Sequence, residues 1–132
     1  MINSYDELGG EMGIRKLVHR FYELMDELPE AYAVRNLHSE NLTEIEPTLF
    51  EFLSGWFGGP GLYIAKKGHP RLRMRHASYA ISPLLRDEWM LCMTQALTEQ
   101  VVDVKFRNSL IVKFSEMANH LINTDGRHIC TK

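Results

Sequence analysis

Cysteine is nearly absent: Cys92 and Cys130 are the only two in 132 residues, far apart and too few for a disulfide framework. No stretch approaches eighteen consecutive apolar residues, which excludes a membrane-spanning helix. No apolar run follows a basic start at the N-terminus, where Asp6 and Glu7 stand instead. A secretory leader is therefore not expected, and cytoplasmic residence is the default. Charge of one sign is lacking too. The net charge of −2 gives no global pull toward nucleic acid or anionic membranes. The phosphate-cradling G-x-x-x-x-G-K, the G-x-S-x-G elbow and the zinc-binding H-E-x-x-H are all missing.

What is present is an ordinary globular balance, 45% hydrophobic and 24% charged. A single domain over 1–132 of this size buries roughly two-thirds of its unfolded surface. The polar residues 124–132 are expected to form a flexible tail, in which His128 and Cys130 are incidental. No repeat, linker or low-complexity tract interrupts the chain.

The periodicity is helical throughout, and no run alternates as a strand, so the class is all-α. Ser4-x-x-Glu7 predicts a capping box for a short first helix. Ile14, Leu17, Val18, Phe21, Leu24, Met25 and Leu28 then recur on one apolar face. Pro29 predicts a break and 30–37 a short helical turn. Thr43-x-x-Glu46 reads as a second capping box, leading into the face of Ile45, Leu49, Phe52, Leu53 and Trp56. Residues 58–70 read as a loop. Ser82-Pro83 is a strong start signal for a helix carrying Leu85, Trp89, Cys92, Met93, Ala96 and Leu97. A last helix carries Phe106, Leu110, Phe114, Met117, Leu121 and Ile122. The pairs Gly9-Gly10 and Gly58-Gly59 read as corners, since glycine takes left-handed angles freely.

The chemistry concentrates in Gly68-His-Pro-Arg-Leu-Arg-Met-Arg-His76, followed thirteen residues later by Trp89. Lys66, Lys67, Arg71, Arg73 and Arg75 put five of the fifteen basic residues within ten positions. A neutral imidazole is a good iron ligand, and guanidinium groups suit phosphate or carboxylate. Two chemistries compete on these residues. One is a haem whose iron takes a histidine and whose propionates take arginines. The other is a small nucleic-acid-binding module using Arg71, Arg73 and Arg75. A lone histidine near an apolar helix is more often a surface or core residue than a ligand, and Tyr22 and Trp89 on apolar faces have ordinary core readings as well. With no C-x-x-C-H, covalent c-type haem attachment is excluded.

Further markers join that run: Gly9-Gly10, Phe21-Tyr22, Trp56-Phe57-Gly58-Gly59-Pro60 and Arg86-Asp-Glu-Trp89. With them the chain resembles the truncated haemoglobins, specifically the second of that family's main groups, over essentially its whole length. The glycine corners alone are weak markers; the nine-residue run ending in His76, with Trp89 at its distance, is very specific.

The resemblance implies a truncated globin fold, a two-over-two α-helical sandwich around haem b. It implies His76 as the proximal iron ligand, Tyr22 as the distal tyrosine, and Trp89 as the tryptophan that marks the group. It places Ile45 where many globins carry a distal histidine or glutamine, Leu49 one turn further on, and Phe52 and Leu53 along the same pocket wall. His38 falls at a distal corner as a third hydrogen-bonding residue. Arg75, Arg73 and Lys66 are the candidate propionate partners. The function implied is reversible binding of O2 and other diatomic ligands (NO, CO), with high affinity and slow release, in a family associated with oxygen binding and transport. Nitric oxide dioxygenase chemistry with a reductase partner, or peroxidase-like turnover, is the enzymatic alternative. A monomer or weak homodimer is expected, with no nucleic-acid or membrane partner.

Overall fold

The computed structural model describes residues 3–77 and 79–124, and these form helices without strands. The helices are α1 (Ser4–Glu7), α2 (Gly10–Glu27), α3 (Tyr32–Leu37), α4 (Glu46–Trp56), α5 (Leu62–Lys67), α6 (Leu72–Arg75), α7 (Pro83–Gln100) and α8 (Val104–Leu121). Single 3₁₀ turns at Pro29–Ala31 and Leu42–Glu44 precede α3 and α4. Of the tail expected at 124–132, everything after Thr124 lies outside the described residues, His128 and Cys130 included.

Side-chain oxygens cap the starts of α1, α7 and α8, and two starts differ from expectation. Ser82 Oγ accepts the Leu85 N–H at 3.2 Å, and Pro83 occupies the first turn, where its missing N–H is no loss. The expected box at Ser4 is replaced by Asn3, whose Oδ1 accepts the Asp6 N–H at 2.9 Å. The expected box at Thr43 does not start α4 either. Asn41 Oδ1 takes the Thr43 N–H at 3.1 Å and caps the short 3₁₀ turn. The α-helix begins only at Glu46, with Pro47 in its first turn. Proline cannot donate within a ladder, so its best place is where donors are already orphaned.

The stretch expected to be a loop at 58–70 contains α5. Six residues carry too few apolar repeats to show helical periodicity. Helix α5 forms because Tyr63 turns inward, 7% exposed, and packs edge-on to Phe52 of α4 with ring centroids 6.1 Å apart. The corner before it is tight. Gly59 is required because a Cβ there would lie 2.2 Å from the Tyr5 ring. Tyr5 N–H donates to the Phe57 carbonyl at 2.9 Å and Ser54 Oγ to the Pro60 carbonyl at 2.7 Å, so α1 clips the α4–α5 corner shut. At the other glycine pair both residues have positive φ, +101° for Gly9 and +67° for Gly10, which turns α1 back onto α2.

Helix α2 packs against α4 and α7, and α7 packs against α8. The core between them holds Ile14, Leu17, Phe21 and Met25 of α2, Leu53 of α4, Met93 and Leu97 of α7, and Leu110 and Phe114 of α8. Burial pushes the Cys92 thiol up to about 11, with Glu88 adding to the effect. It stays protonated and packs as a small apolar group. No described helix is long and apolar enough to cross a membrane.

Candidate functional site

The helices leave between them a cavity of about 470 Å³, within the size range of cofactor and ligand sites. Tyr22 of α2, Val34 and His38 at α3, and Ile45, Leu49 and Phe52 at α4 line it. So do Leu72, Arg75 and His76 at α6, Leu85 and Trp89 of α7, and Met117 and Leu121 of α8. The lining is mostly apolar, with a few polar groups set into it.

His76 caps the C-terminus of α6, and the turn leading into that helix explains a second histidine. Arg71 has φ +46°, a left-handed conformation that most side chains resist. His69 Nδ1 accepts the Arg71 N–H at 3.1 Å and so holds this turn in place. The strained turn delivers His76 to the cavity with its Nδ1 2.7 Å from the Leu72 carbonyl one turn back. A carbonyl only accepts, so Nδ1 carries the proton and Nε2 of the neutral ring keeps a bare lone pair. That bond to the carbonyl fixes tautomer and ring orientation, as it does for histidines that bind metal.

His38 is built in the same way. Its Nδ1 lies 2.8 Å from the Val34 carbonyl, so Nδ1–H donates and Nε2 of the neutral ring is an acceptor. The corner around it is pinned by Arg35, which donates to Asp26 Oδ1 at 2.9 Å and to the Ser39 and Glu40 carbonyls at 2.9 and 2.8 Å. Burial is the largest influence on His38 and lowers its pKa. The Val34 carbonyl opposes this, while the charges of Arg35 and His76 add to it. His38 is therefore neutral in the folded protein over a wider pH range than in the unfolded chain. As pH falls through 6.5, the unfolded ring takes up its proton first, so folding stability declines until the folded ring protonates too. Urea titrations across this window are expected to show a smaller acid-side loss for His38→Phe than for the wild type; identical pH slopes would reject the account.

Tyr22 is 5% exposed. Its ring lies 4.9 Å from Phe21 and 6.0 Å from His38, and Phe21 in turn lies 5.0 Å from Trp89. Burial, and secondarily the charge of Glu46, push the Tyr22 phenol up, so it remains a protonated donor. Among the described residues, every sealed side-chain nitrogen or oxygen has a hydrogen-bond partner. The Tyr22 hydroxyl and Trp89 indole N–H have none, so both keep contact with open space, and the space both residues border is the cavity.

Of the basic residues singled out from the sequence, Arg75 lines the cavity. Its guanidinium sits over Tyr63, 5.5 Å from the ring centroid, and donates to the Pro70 and Lys67 carbonyls at 2.6 and 3.2 Å. Arg73 instead donates to the His120 carbonyl at 2.8 Å, and Lys66 pairs with Glu51 at 2.6 Å. Neither lines the cavity, and Leu53, fully buried, belongs to the core behind it. Two of the three arginines considered as a phosphate patch are thus engaged with carbonyls of their own chain. Sequence reasoning missed Tyr63 as a lining residue because it stood in the stretch read as a loop. It also missed Arg86, which was seen only as part of the Trp89 motif; Arg86 lines the cavity too and bonds Asp87 and Asn119.

The donor set tests what such a site can hold. No three His, Cys, Asp or Glu side chains gather into a metal site among the described residues, so a bare ion would lack ligands. One imidazole with a free Nε2 in an apolar cavity suits a metal whose other ligands come from a macrocycle. The bacterial-like globin family model matches residues 3–123. The chain belongs to the bacterial-like globin family. As a globin it takes haem as cofactor and diatomic gases as ligands. Its fold is similar to that of the cold-adapted truncated haemoglobin from the Antarctic marine bacterium Pseudoalteromonas haloplanktis, at 41% identity and TM-score 0.91 over 93% of this chain and 99% of that one. It is similar to the group II 2-on-2 haemoglobin of the plant pathogen Agrobacterium tumefaciens, at 40% identity and TM-score 0.90 over 93% and 95%. A truncated oxygen-avid haemoglobin from Bacillus subtilis is 30% identical with TM-score 0.81, over 92% of this chain and 100% of that one. The globin is thus all-α with the truncated two-on-two arrangement of helices.

Proposed function

We propose that this globin binds haem b in the cavity through His76 and retains dioxygen and other diatomic ligands there with slow release. One observation carries the reading: a bare histidine Nε2 and two unpartnered donors, the Tyr22 hydroxyl and the Trp89 indole, border the same apolar cavity. Haem, when bound, supplies an iron with a position open to a diatomic ligand.

The chain's own residues supply the rest. The Leu72 carbonyl orients the His76 ring and raises the basicity of Nε2. Arg75 is the propionate partner favoured by its position at the cavity, ahead of Arg73 and Lys66, which are committed elsewhere. Ile45, Leu49 and Phe52 cannot donate hydrogen bonds; they exclude water and raise the worth of the donors that remain. Tyr22 and Trp89 are those donors, and His38 completes the polar set. The likeness to an oxygen-avid haemoglobin supports slow release as the outcome.

Titrating haem into the purified haem-free chain, followed by visible absorption, tests the reading. One equivalent is expected to saturate an intense band in the near ultraviolet. A spectrum that remains the sum of free haem and protein would overturn the proposal.

A further inference from the structure

Helix α3 begins without a cap of its own. Ala31 precedes it and offers no side-chain acceptor, while the first N–H groups of any helix have no partner inside it. One of them, on Val34, is satisfied from outside: Oε1 of Glu88 on α7 accepts it at 2.8 Å. Val34 then acts at its other end. Its carbonyl accepts the Nδ1–H of His38, also at 2.8 Å. A single buried residue is therefore gripped at its N–H by Glu88 and grips His38 with its C=O. A six-residue helix does not persist by itself, so the contacts that seat α3 on α7 also decide where the His38 ring lies.

We propose that Glu88 is a positioning residue for the ligand cavity. Acting through Val34, it holds His38 with Nδ1 protonated and Nε2 bare, so that His38 turns a lone pair and no hydrogen-bond donor toward a cavity ligand. Donation is left to Tyr22 and Trp89. Glu88 is the residue immediately before Trp89, so one turn of α7 carries a donor and the brace that aims the acceptor. This rests on the haem-site reading for what fills the cavity, but not for the tautomer. The bond asks for an oxygen acceptor at glutamate's reach. Glutamine keeps that, aspartate is one methylene short, and alanine has neither.

The test uses the full-length chain in two forms, haem-free and haem-loaded ferrous under carbon monoxide. Imidazole ¹⁵N NMR reads which nitrogen of His38 is protonated, with the signals assigned by their loss in His38→Leu. Infrared spectroscopy reads the C–O stretch, which a nearby N–H donor lowers and a bare lone pair raises. The wild type and Glu88→Gln are expected to show the Nδ1–H form of His38 and one C–O band. Glu88→Ala and Glu88→Asp are expected to show a second, Nε2–H form with a band shifted to lower frequency. Neither variant should shift the band further in a His38→Leu background. An unchanged His38 tautomer in both Glu88→Ala and Glu88→Asp would overturn the inference, as would the same band shift without His38. Wild-type haem uptake judges the site reading separately, because the tautomer is also read without haem.

Discussion

Replacing His76 by glycine is expected to remove proximal coordination and weaken haem retention by more than about 100-fold. The scale follows from the ligand hierarchy: losing only an outer-shell partner costs roughly 10–100-fold in metal affinity, and here the ligand itself is lost. Geometry makes the effect specific to this histidine. His69, seven residues earlier, spends its Nδ1 on the Arg71 N–H and shapes the turn. His38, at the far end of α3, is held to Val34. The glycine variant leaves a space the size of the missing ring, so added imidazole is expected to restore the wild-type absorption spectrum. Variant spectra identical to wild type without imidazole would rule out His76 as the ligand.

Replacing both Tyr22 and Trp89 by phenylalanine is expected to accelerate oxygen release by at least about 100-fold. A hydrogen bond to a charged or strongly polarised acceptor contributes about 1.5–3 kcal/mol, roughly ten- to over a hundredfold in a dissociation rate. Phenylalanine keeps the ring contacts with Phe21 that fix both side chains at 4.9 and 5.0 Å, so the change isolates the donors. The two share one small acceptor, so their single-variant effects should not add. Each single replacement alone is expected to fall short of the double one. Stopped-flow oxygen displacement measures all three, and an unchanged rate in the double variant would remove both residues from ligand stabilisation. Burial keeps Tyr22 protonated well above ordinary pH, so the wild-type rate should not rise through alkaline values where a free phenol would ionise.

Much of this architecture was legible in the amino-acid order. Helices α2 and α8 announce themselves because their eighteen-residue segments repeat an apolar face several times. Ser82-Pro83 marks its helix start through a local bond that needs no distant partner. The same locality misleads at Thr43, where Asn41 competes for the N–H that the capping box would use. It is silent at α5, whose helicity depends on Tyr63 meeting Phe52 from another helix.

The site divides in the same way. The sequence singled out His76, Tyr22 and Trp89 through its resemblance to the truncated haemoglobins, since their residue types and spacing alone left ordinary core and surface readings open. Only the tertiary structure decided that they border one cavity, and that Leu53 stands behind it while Tyr63 and Arg86 line it. The fold also decided how the basic run divides, with Arg75 at the cavity, Arg73 on the His120 carbonyl and Lys66 on Glu51. The finest distinction is the protonated nitrogen of His38 and His76. Each ring meets a carbonyl four residues back, one helical turn away, so the tautomer is local once the turn forms, while helix packing decides that both short helices end at the same cavity.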